Sequence, residues 1–207
     1  MKMMGREVFA AALLAAFGTA AIAESGPEAC AALEDEHKRK LCYDLAYKIR
    51  PLEPAKGEDQ GKWEVSSTFS RIDDSETVFL LLDSNNSVDC GRYKQEPVSL
   101  ILRCEENTTV MYYSANCHMA SGYRGYGDVT YRLGSGKAQT VSMDVSSDKR
   151  AIGLWRGRQS IPVIKQMFEN ERMTVRMTPF GNSSITASFD IAGLESAIKP
   201  LRKACSW

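Results

Sequence analysis

The cysteines constrain this chain most, because they decide whether the fold is cross-linked. The sequence of 207 residues has six cysteines. An even number of cysteines in an exported chain indicates disulfides, although spacing alone does not choose among the possible pairings. The alternative is a zinc site, but the chain has two histidines and no CxxC pair, so we expect no metal and no other cofactor. The cysteines predicted to form disulfides are Cys30, Cys42, Cys90, Cys104, Cys117 and Cys205.

The N-terminus predicts export to the oxidising compartment that disulfides require. Basic residues precede an apolar run from Val8 to Ala23, which ends in a small-x-small pattern. This arrangement is typical of a cleavable signal peptide over residues 1–23, and the run is short for a membrane span. A retained N-terminal anchor is the alternative, since Glu7 is unusual in the basic flank. We therefore expect a chain without a membrane span after cleavage.

The charge of the chain argues against two classes of partner. Lys and Arg total 26, Asp and Glu also total 26, and the formal net charge is zero. No basic stripe suggests a nucleic acid, and no basic amphipathic helix suggests a membrane surface. A protein partner is the remaining expectation, and the oligomeric state stays open.

Two short regions precede the main domain. Residues 24–50 have apolar residues at rough helical spacing and predict a small helical element. A straight helix would separate Cys30 from Cys42 by about 18 Å, whereas disulfide-bonded Cα atoms lie about 4.4–6.8 Å apart. If these two cysteines pair, the segment must fold back as a helical hairpin. Residues 51–61 are rich in Pro, Gly and charge and predict a linker.

Residues 62–207 predict a mainly β domain of the α+β type. Short apolar or alternating runs, separated by turn residues, recur along the segment and are typical of antiparallel strands. Helical spacing appears twice, near residues 161–168 and 194–203. We therefore expect an antiparallel β-sandwich or barrel-like domain with two short helices. The predicted strands are 63–69, 77–82, 98–103, 108–113, 128–133, 138–144, 151–155, 173–177 and 185–191.

The loop over residues 121–127 is the candidate binding site. It combines three glycines with Ser121, Tyr123, Arg124 and Tyr126. Aromatic and Arg side chains on a loop are typical anchors in protein recognition. The alternative is an ordinary turn whose glycines permit positive φ.

Residues suited to catalysis are few. His118 stands beside a cysteine predicted to be oxidised, so we interpret it as a loop residue, and His37 as a solvated surface residue. Asp73 and Asp74 form a carboxylate pair that is suited to acid–base chemistry or, with Asp83, to calcium. Such a pair more often caps a turn between strands. We therefore predict no catalytic residue and no metal ligand.

The chain resembles the VasI/TagO family of periplasmic proteins associated with type VI secretion. The resemblance covers most of residues 28–207 and depends on the order of several short motifs. It departs from the family pattern over residues 114–127, which contain the candidate loop. The motifs are Cys30 with 41–44, 61–63, 70–75, 97–104, 129–133, 178–181, 189–194 and 204–207.

The resemblance implies a periplasmic accessory protein without catalytic activity, near a contractile injection machine. It also implies the disulfides Cys30–Cys42 and Cys104–Cys205, which leave Cys90 and Cys117 to pair with each other.

Two other functions are open. The chain is similar, in the Ser-Gly-Tyr part of the loop only, to periplasmic lysozyme inhibitors, which suggests an inhibitor or immunity-type binder of an exported cell-wall hydrolase. The third function is a hydrolase acting on cell-wall material, for which His118 and Asp73 are the candidate residues.

Overall fold

Two antiparallel sheets make up most of the described chain. The computed structural model describes residues 32, 34, 35, 38, 39, 50, 51, 59–90 and 95–207. The predicted signal peptide, most of the predicted helical hairpin and residues 52–58 of the predicted linker lie outside these residues. The observations below therefore concern mainly the β domain.

The larger sheet has seven strands in the order β1-β2-β3-β4-β5-β9-β8. Their inward side chains alternate with outward ones, as in β4, where Val98, Leu100, Leu102 and Cys104 are buried. This period of two is what a half-buried antiparallel strand requires. The strands are β1 (Arg50–Pro51), β2 (Glu64–Phe69), β3 (Glu76–Val88), β4 (Glu96–Glu105), β5 (Thr108–Ser114), β8 (Asp144–Val145) and β9 (Ala151–Leu154).

The smaller sheet has four strands in the order β11-β10-β6-β7. In β10, Met173, Val175 and Met177 are buried and the residues between them are exposed. The strands are β6 (Asp128–Leu133), β7 (Gln139–Ser142), β10 (Arg172–Met177) and β11 (Ile185–Asp190). The hairpin of β10 with β11 and the hairpin of β6 with β7 are both as the alternating pattern predicts.

The core lies between the two sheets. Tyr113 of β5 and Phe189 of β11 are almost fully buried, and their ring centroids are 6.0 Å apart. The Tyr113 hydroxyl also lies 3.7 Å from the Met173 sulfur of the smaller sheet. Burial raises the pKa of Tyr113 far above its usual value, so this hydroxyl stays protonated.

The sheets are connected along both sides without closing into a continuous barrel among the described residues. On one side a single residue, Met143, separates β7 from β8, so the chain passes directly from one sheet to the other. On the other side Asn86 of β3 bonds to the edge of β11. Its amide nitrogen donates to the Thr186 carbonyl at 2.9 Å, and its amide oxygen accepts from the Ser188 N–H at 2.9 Å. The prediction of a mainly β, antiparallel domain is confirmed, but the two sheets are joined there by a side chain and not by a strand ladder.

The helices depart in detail from the prediction. The first, α1 (Gly157–Met167), begins before the predicted residue 161. Its first turn forms earlier because the Ser160 hydroxyl donates to the Thr109 carbonyl at 2.7 Å, which holds that turn against β5. The second predicted helix is two short ones, α2 (Leu194–Ala197) and α3 (Lys199–Ala204). Pro200 lies in the first turn of α3, where its missing N–H costs no helical bond.

Two disulfides cross-link the described domain. Cys90 pairs with Cys117, with Cα atoms 5.3 Å apart, and Cys104 of β4 pairs with Cys205 after α3, with Cα atoms 5.8 Å apart. These are the two pairings that the family resemblance implies for this domain. Cys30 and Cys42 lie outside the described residues.

Candidate functional site

The loop over residues 121–127 turns tightly, and four of its residues have positive φ values. Gly122, Gly125 and Gly127 have φ values of 71°, 78° and 100°, and Arg124 has a φ of 49°. The Tyr126 N–H donates to the Tyr123 carbonyl at 2.9 Å, which closes the turn. Glycine is needed at position 127 because an added Cβ would lie 2.8 Å from the Met143 carbonyl oxygen.

Ser121 fixes the base of the loop. Its hydroxyl oxygen accepts from the Val145 N–H at 3.3 Å, and the side chain is partly buried. Ser121 therefore ties the loop to β8. The other predicted site residues stand further out on the same loop.

Tyr123 and Arg124 form the exposed tip of the loop. The Tyr123 side chain is 57% exposed. The Arg124 guanidinium carbon lies 5.0 Å from the centroid of the Tyr123 ring, within the range of a cation–π contact. This contact orients both side chains outward together.

A second loop, between β10 and β11, brings Phe180 to the same place. Phe180 is 50% exposed, and its ring centroid lies 5.5 Å from those of both Tyr126 and His118. The Phe180 N–H donates to the His118 carbonyl at 2.8 Å, and the Gly181 N–H donates to the Tyr126 hydroxyl at 3.4 Å. We call His118, Tyr123, Arg124, Tyr126 and Phe180 the aromatic surface.

Sequence reasoning missed two members of this surface. From the sequence, Phe180 is only part of the family motif 178–181, and His118 is a loop residue or, for the hydrolase function, a candidate catalytic residue. The available signal was a large apolar residue in the centre of the turn 179–182, where burial is rare. Tyr123, Arg124 and Tyr126 lie on the predicted loop. The structure adds His118, which precedes the loop, and Phe180, which comes from a distant segment.

The aromatic surface stands on a cross-linked base. His118 follows Cys117, whose disulfide to Cys90 connects this segment to the end of β3. The Met119 N–H donates to the Lys149 carbonyl at 2.8 Å. Loops restrained in this way lose little conformational entropy when they bind a partner.

The predicted carboxylate pair lies in a turn. Asp73 accepts from the Ser75 hydroxyl at 2.8 Å and from the Ser75 N–H at 3.3 Å, and Asp74 has a φ of 57°. Hydrogen bonds from Ser70 and Ser75 lower the pKa of Asp73. Asp83 lies well along β3, about 20 Å away at strand spacing, and accepts from the Ser99 hydroxyl at 2.6 Å. The structure therefore does not bring Asp83 to Asp73.

Titratable side chains are dispersed through the described part of the chain. No three His, Cys, Asp or Glu residues stand close enough there to share a metal ion. Among these residues, no helix has the length and apolar character needed to cross a bilayer.

These features define a class: a two-sheet, antiparallel β domain, cross-linked by disulfides, that presents aromatic side chains from two adjacent loops. The chain belongs to a family within that description. Residues 29–207 match the family model described as "Type VI secretion system VasI, EvfG, VC_A0118", which covers most of the chain. No curated protein and no solved structure gives a significant match. The family links the protein to type VI secretion, as the sequence motifs predict.

Proposed function

We propose that this protein is an exported, non-catalytic accessory component of a type VI secretion system, and that it binds a protein partner through the aromatic surface. The proposal places the protein in the periplasm, where the disulfides would form. The membership of residues 29–207 in the VasI family supports the link to secretion.

The exposure of Tyr123 and Phe180 supports the binding role most. Large side chains that stay half-exposed, at 57% and 50%, gain little from folding, because burial is what stabilises them. Aromatic residues and Arg are enriched among the residues that contribute most to protein interfaces. Tyr123 and Phe180 would be the anchors, and Arg124 would add a charged contact at the rim.

The test is capture of partners from the native host. Tagged protein is crosslinked in intact cells and recovered, and the variant carries both Tyr123→Ser and Phe180→Ser. We expect the double variant to lose the crosslinked partner while its melting temperature changes little, because about half of each residue is already exposed to water. Ile72→Ser is the matched control, since Ile72 is 97% exposed in the turn after β2. Equal recovery of the same partner by the double variant would exclude the aromatic surface.

The inhibitor function uses the same surface and predicts a different partner. Its supporting observation is the outward pair of Tyr123 and Arg124, which could enter the cleft of a cell-wall hydrolase. In the same experiment, a lysozyme-like enzyme would be recovered in place of a secretion component. Purified protein would then inhibit that enzyme, and Arg124→Gln would weaken the inhibition.

A further inference from the structure

A groove lies on the outer face of the larger sheet, and its lining contains none of the aromatic surface residues. It has a volume of about 570 Å³ and opens to solvent. Ala151 of β9, a residue with a small side chain, forms the floor of the groove. Its lining also includes Arg103 of β4, Tyr112 of β5, Trp155 and residues of the loop 146–150.

An ordered pair of aromatic rings forms one wall of the groove. The rings of Tyr112 and Trp155 are stacked, with centroids 5.1 Å apart and planes inclined by 26°. The Trp155 indole N–H donates to the Asp144 carbonyl at 2.8 Å, which fixes the orientation of the ring. Gly153 lies opposite Tyr112 in the ladder, and a Cβ at that position would overlap Tyr112. The glycine therefore permits the stacked arrangement.

The guanidinium groups of Arg103 and Arg150 and the carboxylate of Asp148 line the groove. Asp148 accepts from the Ser146 hydroxyl and from the Arg150 N–H at 3.1 Å, and these bonds lower its pKa. It therefore stays ionised and serves its own loop. The Arg150 side chain is exposed at the rim.

The Arg103 guanidinium does not use all of its hydrogen-bond donors. Its Nη2 lies 3.0 Å from a Glu105 carboxylate oxygen, but its Nε is shielded from water and has no hydrogen-bond partner among the described residues. The Tyr112 hydroxyl makes no hydrogen bond within the described part either, and burial raises its pKa, so it remains a donor. The Arg103 side chain is 29% exposed, so the accessible part of its guanidinium, and not the shielded Nε, can donate to an added acceptor in the groove.

We propose that this groove binds a saccharide that carries a carboxylate. The apolar face of a pyranose ring fits an aromatic wall, and its hydroxyls can bond to Ser114 and Ser147 in the lining. The carboxylate pairs with guanidinium groups, whose fork matches it geometrically. A nucleic acid is disfavoured because the chain has a net charge of zero. Acidic sugars of cell-wall and capsular type are the ones that an exported chain would meet.

The experiment titrates the full mature chain with defined acidic saccharides. One probe is the disaccharide of N-acetylglucosamine and N-acetylmuramic acid, and the second is a digalacturonate. The matched neutral probe is the methyl ester of each acid. Tryptophan fluorescence and nuclear magnetic resonance report binding, and we expect millimolar or tighter affinity for at least one acid, with at least about tenfold weaker binding of its ester. The probe that binds distinguishes a cell-wall from a capsular source.

Variants locate the site. We expect Arg150→Gln to weaken binding at least about fivefold, and Trp155→Ala to abolish it. Arg158→Gln is the control, because Arg158 is equally exposed on α1 but does not line the groove. Because Trp155→Ala removes a packed ring, Trp155→Phe is measured beside it and should retain part of the affinity. The proposal is overturned if neither acid binds at about 10 mM, if the esters bind equally well, or if Arg150→Gln binds like the unaltered protein.

Discussion

Asn86 offers the sharpest test of how the two sheets are held together. Asn86 lies within the register shift of β3 between Asp83 and Ser87, and its side chain takes the place that a neighbouring strand would occupy beside β11. Its amide satisfies one carbonyl and one N–H of the edge strand, both at 2.9 Å. Asn86→Ala removes both bonds. Each is worth about 0.5–1.5 kcal/mol net, and solvent access at this exposed site favours the lower end.

The expected loss for Asn86→Ala is therefore about 1–2 kcal/mol. For a chain of this length that corresponds to a fall in melting temperature of about 2–8 °C. Hydrogen exchange gives a local measure, because the Ser188 N–H loses its acceptor and should exchange about 5–30 times faster. Asn86→Asp separates the two bonds: the acceptor for Ser188 remains, while a carboxylate oxygen faces the Thr186 carbonyl. We expect protection of Ser188 to persist in this variant although global stability falls.

Asn85→Ala is the matched control for this reasoning. Asn85 is the adjacent residue, is also exposed, and its amide oxygen accepts a 3.4 Å bond from the Lys62 ammonium. Its replacement should leave both the melting temperature and Ser188 exchange nearly unchanged. If Ser188 exchanges at the unaltered rate in Asn86→Ala, the amide does not protect β11 and the account of this edge is wrong.

Three further predictions concern the Cys104–Cys205 disulfide, Gly153 of β9 and the turn at Asp73. Replacing Cys104 and Cys205 together by Ser opens a loop of sequence separation 101 and should lower stability by about 4–5 kcal/mol, measured by denaturant unfolding; an unchanged midpoint would contradict this. Gly153→Ala places a Cβ against Tyr112 and should lower stability by about 1–3 kcal/mol in the same assay, and a neutral effect would refute the close approach. Asp73→Asn should destabilise at pH 7, because the folded pKa lies below 3.8 and the ionised form is favoured by folding. The difference in melting temperature between variant and unaltered protein should shrink as the pH falls through that folded pKa, and a constant difference would exclude this cause.

Much of the fold could be predicted because its signals are local. Alternation in β10 and β11 predicts the hairpin, since the apolar set Met173, Val175 and Met177 has a single face to bury. The predicted start of α1 near residue 161 is too late, because the bond from Ser160 to Thr109 joins residues far apart in sequence. The connection through Asn86 was missed for the same reason: an exposed Asn in a loop-like stretch gives no sign of a partner strand.

The candidate site could be predicted only in part. The composition of residues 121–127 indicates a recognition loop, and Tyr123 is exposed there as that interpretation requires. Phe180 and His118 join it through the pairing of β6 with β10, which positions the two loops side by side. Such convergence depends on sheet order, and a local sequence pattern carries no information about it. The groove at Trp155 is likewise not predictable from a local pattern, because its lining comes from three separate segments, at residues 103, 112–114 and 145–155.

The bond between Cys104 and Cys205 also decides how the molecule would respond to mechanical load. Tension applied between the two ends of the chain would pass along β2, β3 and β4, cross that covalent bridge, and leave the intervening stretch slack. The bridged cysteines are 101 residues apart, so the bond prevents about 340 Å of fully extended chain from being pulled out. Both loops of the aromatic surface lie between these two cysteines, so the bridge carries tension between the chain ends past their backbone.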